Sequence, residues 1–221
     1  MLNTYEEFKS YLQNVGFMPL SNNKVGFPSL SSLTAEEAWH TNEANDPWIW
    51  RRVIAEEKLA AYGKFFDKKP SFITLEWLPY FLAVRRGKKS ITSLYETGKL
   101  STTAKNIYAL LEEHEQIAAH DVKPLLGLGK DSKTEIENAM IELQMGMFVT
   151  ISNMVRKVSA DGSPYGWPSV CLMKIEDWVG DAIMAKAAEL DPTGARAEII
   201  AKAREFSPDA NEKQLTQFLT V

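Results

Sequence analysis

The order of secondary-structure signals between Ser101 and Trp178 constrains the fold most strongly. An amphipathic helix begins after the cap residue Ser101, a short extended piece comes next around Ile117, and two more helices are predicted before Gly146. The last of them opens on a capping box, a serine at position 132 with a glutamate three residues later. The segment therefore starts as three closely spaced helices.

Extended runs come after these helices. The runs FVTIS (148–152) and VRKVS (155–159) are rich in β-branched residues and predict a hairpin with Asn153 at its turn. A loop rich in glycine and proline, DGSPYGWPS, then leads to a third run, VCLMKI (170–175). Three helices followed by a β-hairpin is the order of a winged helix-turn-helix, in which residues 159–169 form the wing or its extension. Other small α+β folds share this order.

Helix signals dominate the rest of the chain. The pair Asp46-Pro47 predicts a helix that runs to about Tyr62, and Pro79 predicts a helix start or a kink inside the apolar block 71–86. The predicted fold class is mainly α (α+β), a winged helix-turn-helix with flanking helices and a small β-hairpin wing. We expect three regions, which are an N-terminal helical region packed on the winged helix (1–100), the winged helix-turn-helix domain (101–178) and C-terminal helices (179–221).

The composition limits the kinds of site that the chain offers. A single cysteine, Cys171, stands in an apolar run and is expected in the core, and the three histidines lack metal-ligand spacing. We therefore expect no metal and no cofactor. No run approaches the roughly 20 apolar residues that a membrane span needs, and acidic residues come early in the chain. A cytoplasmic protein with no membrane partner is the expectation.

The net charge of -4 over 221 residues hides an uneven distribution. Residues 51–105 hold twelve bases and five acids, whereas residues 106–221 hold eleven bases and eighteen acids. The basic middle contains a run of four cations around a glycine, formed by Arg85, Arg86, Lys88 and Lys89. Such a run can grip phosphates, or it can be a solvated helix end whose cations complement the helix dipole. Both interpretations stay open at this point.

The helix expected to read bases has an unsuitable charge. Between Asp131 and Gly146, four acids stand against one lysine. A helix that enters the major groove passes close to phosphates, so this excess of acids opposes base reading. Contact with DNA is therefore expected elsewhere on the winged helix.

The wing offers a more suitable surface. Arg156 and Lys157 precede it, and Tyr165 and Trp167 lie within it. Aromatic side chains beside cations stack on bases or wedge into a minor groove. The alternative, which is slightly favoured, is that Trp167 packs its loop onto the domain.

Two stretches resemble a known bacterial family. They are DPWIWRRVIAEEKLAAYGKFFDKKPSFITLEWLPYFLAVRRG (46–87) and the run from IENAMIELQMGMFVTIS through YGWPS to EDWV. Both resemble the proteins called AlkZ-related, distant relatives of the AlkZ-like winged-helix DNA glycosylases that excise alkylated or crosslinked bases. The resemblance implies a relation to DNA repair, and it carries Arg85 and Arg86 over as candidate DNA contacts.

The sequence departs from those glycosylases at their catalytic motif. The enzymes carry Gln-x-Gln or Gln-x-Asp near the N-terminus, but none of the five glutamines here is followed two residues later by either residue. The matching N-terminal loop reads FMPLSNNKVGFPSLSSL. No catalytic residue is carried over, the catalytic site is unknown, and an enzyme is the less expected outcome.

Three functions remain open. The leading one is a winged-helix protein that binds double-stranded DNA and is related to DNA repair glycosylases but lacks their catalytic motif. The second is a divergent DNA glycosylase acting on alkylated bases, a hydrolase that needs a pocket for a flipped base. The third is a protein-interaction or regulatory winged-helix module, with a homodimer as one form, which the acidic helix would suit.

Overall fold

A computed structural model describes residues 1–220. The α-helices are α1 (Tyr5–Val15), α2 (Leu30–Leu33), α3 (Pro47–Glu56), α4 (Leu78–Phe81), α5 (Ile91–Glu96), α6 (Thr102–Glu113), α7 (Ala119–Leu125), α8 (Lys133–Met145), α9 (Ile175–Val179), α10 (Asp181–Glu189), α11 (Pro192–Phe206) and α12 (Glu212–Thr220). The strands are β1 (Phe17–Pro19), β2 (Ala60–Phe66), β3 (Lys69–Thr74), β4 (Ile117–Ala118), β5 (Val149–Val158) and β6 (Pro164–Lys174). A π-helical turn (Leu82–Arg86) continues α4, and 3-10 turns cover Glu36–Ala38 and Lys130–Ser132. The class is a mixture of helices and antiparallel strands.

The chain divides into two units. Met1–Lys88 and the segment from Val179 onward form the first unit, and Lys89–Trp178 forms the second unit. The second unit is thus inserted in sequence between the two parts of the first.

Local capping explains where the helices of the first unit begin. The pattern Thr4-Tyr5-Glu6-Glu7 predicts a capping box in the sequence, and Thr4 caps α1 in a complete capping box with Glu7. Asp46 caps α3 through the backbone N–H of Trp48, and Pro47 occupies the first turn, where no N–H is needed.

The first unit also contains three antiparallel strands, paired in the order β1-β3-β2, which the sequence does not predict. The expectation that α3 reaches Tyr62 is wrong, because α3 ends at Glu56 and the chain then enters β2. Asp67 and Lys68 join β2 to β3 with φ values of 49° and 59°, the left-handed pair that a tight hairpin turn requires. Nearly all of β2 is buried, and a continuous apolar run does not distinguish a buried strand from a helix.

Pro79 marks a helix start, as predicted. Helix α4 begins at Leu78, so Pro79 lies in its first turn and breaks no hydrogen bond. The π-helical turn after it ends at Gly87, whose N–H donates to the carbonyl of Leu82 at 2.8 Å and whose φ is 54°.

Stacked aromatic side chains form the core of the first unit. The Phe8 ring lies 5.8 Å from Trp50 of α3 and 5.3 Å from Phe72 of β3, measured between ring centroids. Phe17 of β1 meets Phe81 of α4 edge-on at 5.0 Å. Full burial of each such side chain contributes about 1.5–3 kcal/mol, so the aromatic-rich stretches are largely core.

The second unit contains α6, α7 and α8 together with three antiparallel strands, paired in the order β4-β6-β5. Strand β4 confirms the extended piece expected near Ile117. The predicted turn at Asn153 is wrong, because β5 is continuous and Asn153 pairs with Cys171 beyond a bulge that comes after Ile151. The hairpin turns instead between β5 and β6, at residues 159–163.

The capping box predicted at Ser132 does not form. The Ser132 hydroxyl donates to the carbonyl of Gly129 at 2.8 Å, and Glu135 accepts a hydrogen bond from Thr103 instead. Ser132 is thus engaged in the 3-10 turn that leads into α8.

Candidate nucleic-acid interface

The β5–β6 hairpin is buried at its base and exposed at its tip. Val149 and Leu172 at the base are fully buried, whereas the side chains at the tip are exposed, by 64% at Val158, 52% at Tyr165 and 93% at Trp167. Two strands that extend beyond their supporting core present both faces to solvent. The tip therefore exposes large apolar side chains to water and has no core of its own.

The four wing residues that the sequence indicates all lie on this tip. Lys157 is directly opposite Tyr165 in the strand register, and Arg156 is exposed beside it. The pairing is irregular at this point, because the single residue Arg156 on β5 lies opposite the three residues Gly166–Pro168 on β6. The exposed Trp167 is the middle residue of this bulge. The expectation that Trp167 packs on its domain is wrong.

A hydrogen-bonded turn fixes the end of the hairpin. The Asp161 carboxylate accepts from the Ser159 hydroxyl at 2.5 Å and from the backbone N–H of Ser163 at 3.0 Å. The hydrogen bond from Ser159 is the largest cause, and together these bonds lower the pKa of Asp161 below its usual range. The Asp161 carboxylate is thus held in the turn, at the end opposite the sheet.

The basic run of residues 85–89 does not form one phosphate grip. Arg85 is buried, donating to the carbonyl of Phe65 and through Nε and Nη2 to that of Leu219 at 3.1 and 2.6 Å. Burial lowers its pKa to about 9. The expectation of a DNA contact at Arg85 is wrong, because its guanidinium is buried and bonds to backbone carbonyls inside the first unit.

The other cations of the run are more accessible. Arg86 is half-buried, whereas Lys88 and Lys89 are exposed. Arg86 and Lys88 belong to the first unit and Lys89 opens the second.

The acids of α8 are partly engaged within the second unit. The Glu142 carboxylate accepts from the Ser101 hydroxyl at 2.6 Å and from the Ser101 N–H at 3.1 Å, so it ties α8 to the start of α6. Glu135, also on α8, accepts a hydrogen bond from the Thr103 hydroxyl of α6. Two of the four acids therefore hold helices together.

An arginine held between aromatic rings in the first unit was not predicted. The Arg51 guanidinium lies 3.6 Å from the Trp48 ring centroid and donates to the Tyr62 hydroxyl at 3.3 Å. The His40 ring approaches the same indole at 4.8 Å. Trp48 and Arg51 are three positions apart on α3, and that spacing is the only sequence signal for their contact.

Cys171 is confirmed as a core residue. It is 2% exposed on β6, and burial together with the charge of Asp121 raises the pKa of its thiol to about 11. A thiol with so high a pKa stays protonated and unreactive near neutral pH.

Two kinds of feature are absent from the described part of the chain. None of the helices in residues 1–220 combines the length and the apolar character needed to cross a membrane. Within the same residues, His, Cys, Asp and Glu side chains nowhere form a group of three placed to hold a metal ion.

The fold and the hairpin define a protein of mixed helices and antiparallel strands that presents aromatic and cationic side chains on a β-hairpin. A family model described as AlkZ related matches residues 2–220, and the chain belongs to that family. Membership confirms the family resemblance seen in the sequence and supports a relation to DNA repair glycosylases. Comparisons with curated proteins and with solved structures found no match.

Proposed function

We propose that the region 101–178 is a winged helix that binds double-stranded DNA through the β5–β6 hairpin, in a repair-related role without glycosylase chemistry. The order α6, β4, α7, α8, β5, β6 and the sheet order β4-β6-β5 support this assignment. In such a unit the hairpin is the wing, and the wing is free to approach a DNA groove.

One observation carries the proposal, the 93% exposure of Trp167. An indole in water forgoes the large apolar burial that makes tryptophan a core residue. Stacking on a base recovers part of that loss, at about 1–3 kcal/mol for each base. Tyr165 and Val158 are also exposed at the tip, so the hairpin offers further apolar side chains for insertion between base steps.

The charges at the hairpin agree with this role. Arg156 and Lys157 are exposed on β5, where each can neutralise one phosphate and release counterions. The hydrogen bonds of Asp161 keep the nearby carboxylate in the turn. DNA is thus bound by backbone contacts and stacking, without base reading by the acidic α8.

Arg86, Lys88 and Lys89 are further candidate phosphate contacts, and each is tested by itself and separately from the hairpin. The exposure of Lys88 and Lys89 supports this role less strongly than the combined features of the hairpin, because short runs of surface cations are common. Arg85 takes no part, since its guanidinium is used by the carbonyls of Phe65 and Leu219.

The test is fluorescence anisotropy of a labelled 20-base-pair duplex with the full chain, across a salt series. Replacement of Arg156 and Lys157 together by Ala should lower the magnitude of the salt slope by about 2, or about 1 for each lost phosphate contact. Trp167→Ala should weaken binding by about 5- to 150-fold, which corresponds to the stacking of one base.

Lys130→Ala is the matched control, because Lys130 is an exposed cation of the same unit away from the hairpin. It should leave both the affinity and the salt slope nearly unchanged. Absence of duplex binding, or binding with no salt slope, would refute the proposal. Equal affinity of the Trp167→Ala variant and the original chain would refute the stacking role.

A second assay examines the chemistry. Incubation of the chain with duplex carrying alkylated purines should release no free base, because the Gln-x-Gln or Gln-x-Asp motif is absent from the sequence. Base release above a protein-free control would show instead that the chain is a divergent glycosylase.

A further inference from the structure

We propose that the first unit carries a separate binding site for a small apolar carboxylate. A cavity of about 250 Å³ lies between the π-helical turn after α4 and the helix α10, and the start of α11 closes it. This site lies wholly within the first unit and is independent of the hairpin.

The walls of the cavity are apolar. Leu82 and Ala83 contribute one side, Met184 and Ala187 the other, and Leu190 and Pro192 the end. Most binding pockets for small molecules are apolar in this way, with a few polar groups that fix the orientation of the ligand. The interior therefore selects a hydrocarbon tail or ring.

The charged lining residues, among those that the structure describes, are both cations. They are Arg86 and Lys88, and no carboxylate lines the cavity in that part of the chain. Lys88 is exposed, so its ammonium group is accessible to a ligand headgroup at the mouth of the cavity. An anionic headgroup complements this rim, whereas a cationic headgroup is repelled.

The backbone conformation brings the cations to this cavity. The Gly87 N–H reaches back to the carbonyl of Leu82, five residues earlier, in a hydrogen bond of 2.8 Å. Such π-helical turns are rare and frequently occur at functional sites. The left-handed φ of 54° at Gly87 then reverses the chain, so that residues on both sides of the glycine line the same cavity.

The volume sets the size of the ligand. At 250 Å³ the cavity is smaller than the roughly 300–1,000 Å³ that drug-sized ligands occupy. At roughly 30 Å³ for each water-sized group, it accommodates about eight non-hydrogen atoms. A linear chain of about eight carbons with its carboxylate at the rim fits both the volume and the charge.

Titration calorimetry with the full chain and octanoate tests the site. We expect saturable binding, with octyltrimethylammonium and acetate each at least tenfold weaker, because one has the opposite charge and the other lacks the tail. Ala188→Phe, which fills the cavity from an exposed position of α10, should weaken octanoate binding at least tenfold. Lys88→Glu should weaken it about tenfold and reduce the preference for the anion.

Two matched controls lie on the same helix. Ala185→Phe and Lys186→Glu make the same changes at exposed positions of α10 outside the cavity lining, so they should bind octanoate as the original chain does. Circular dichroism of each variant separates loss of binding from loss of folding.

Several outcomes would overturn the proposal. These are no saturable binding at millimolar octanoate, equal binding of the cationic probe, displacement of octanoate by equimolar acetate, or equal losses in the Ala188→Phe and Ala185→Phe variants. Duplex affinity, measured on the Ala188→Phe and Ala185→Phe variants, reports on the proposed DNA function independently, because neither variant changes a candidate phosphate contact.

Discussion

Asp46 organises the loop before α3 with one fully buried carboxylate. Its Oδ1 accepts from the N–H groups of Trp48 at 2.8 Å and His40 at 3.1 Å, and its Oδ2 accepts from Asn42 at 3.0 Å. His40 and Asn42 both have left-handed φ values, of 62° and 61°. We expect Asp46→Ala to lose the helix cap and to release this strained loop together.

The magnitude is set by these three bonds. Loss of a helix cap costs about 1 kcal/mol, and an N–H group left without its partner costs about 1–3 kcal/mol. His40 and Asn42 are exposed residues whose N–H groups can recover water, so the lower end applies to both. We expect a total near 3 kcal/mol, or a melting temperature lower by roughly 6–12 °C for a chain of this size.

The assay is thermal unfolding monitored by circular dichroism, with hydrogen exchange of the His40 and Asn42 amides as a local measurement. Asp46→Asn should lose less stability, because its remaining oxygen still accepts two of the three bonds. Asp191→Ala is the matched control, since Asp191 caps α11 through one exposed bond to Gly194 and should cost only about 1 kcal/mol. Equal losses for Asp46→Ala and Asp191→Ala, with unchanged amide exchange, would refute the reasoning.

Three further predictions concern other features of the chain. Gly16→Ala should destabilise the protein by about 2–4 kcal/mol, because its φ is 85° and a methyl group would lie well under 3 Å from the Trp77 indole. The control Gly98→Ala, in open space at a φ of 69°, should cost only about 1–2 kcal/mol in the same thermal unfolding experiment. The buried Cys171 thiol should resist a thiol-reactive disulfide reagent at pH 8 until denaturant is added, and rapid labelling of the native protein would contradict this. Because the pKa of the folded thiol is raised to about 11, its contribution to stability is complete below pH 9 and is lost as the pH rises from 9 to 11. Arg85→Ala should lower the melting temperature without changing duplex affinity, since the carbonyls that it serves are buried partners; an unchanged melting temperature with weaker DNA binding would reverse the assignment.

Local signals predict some elements well. The capping residues Thr4 and Ser101 mark true helix starts, because each side-chain oxygen accepts from a backbone N–H in the first turn of its own helix. The β-branched residues of 149–158 likewise indicate extended structure. The turn predicted at Asn153 is wrong because a bulge in a continuous strand has the same composition as a loop.

Other features depend on contacts that no local pattern shows. The buried hairpin of β2 and β3 resembles a helix in sequence because its apolar run has no alternation. Arg85 and Arg86 are adjacent and chemically identical, and only their positions in the π-helical turn make one buried and the other half-exposed. The sequence favours packing of Trp167, but the side chain lies in solvent beside the bulge in the β5–β6 hairpin.

The hydrogen bonds between Arg85 and the carbonyl of Leu219 join residues 134 positions apart, on either side of the inserted second unit. During synthesis, the whole of the second unit is made before that carbonyl exists. We therefore expect the second unit to fold first, while Arg85 and the aromatic residues around it wait for α12. Contacts of such long sequence separation also slow folding, because the entropy of closing the loop is lost before they stabilise the chain. The core of the first unit around Arg85 is thus completed only after α12 has been synthesised.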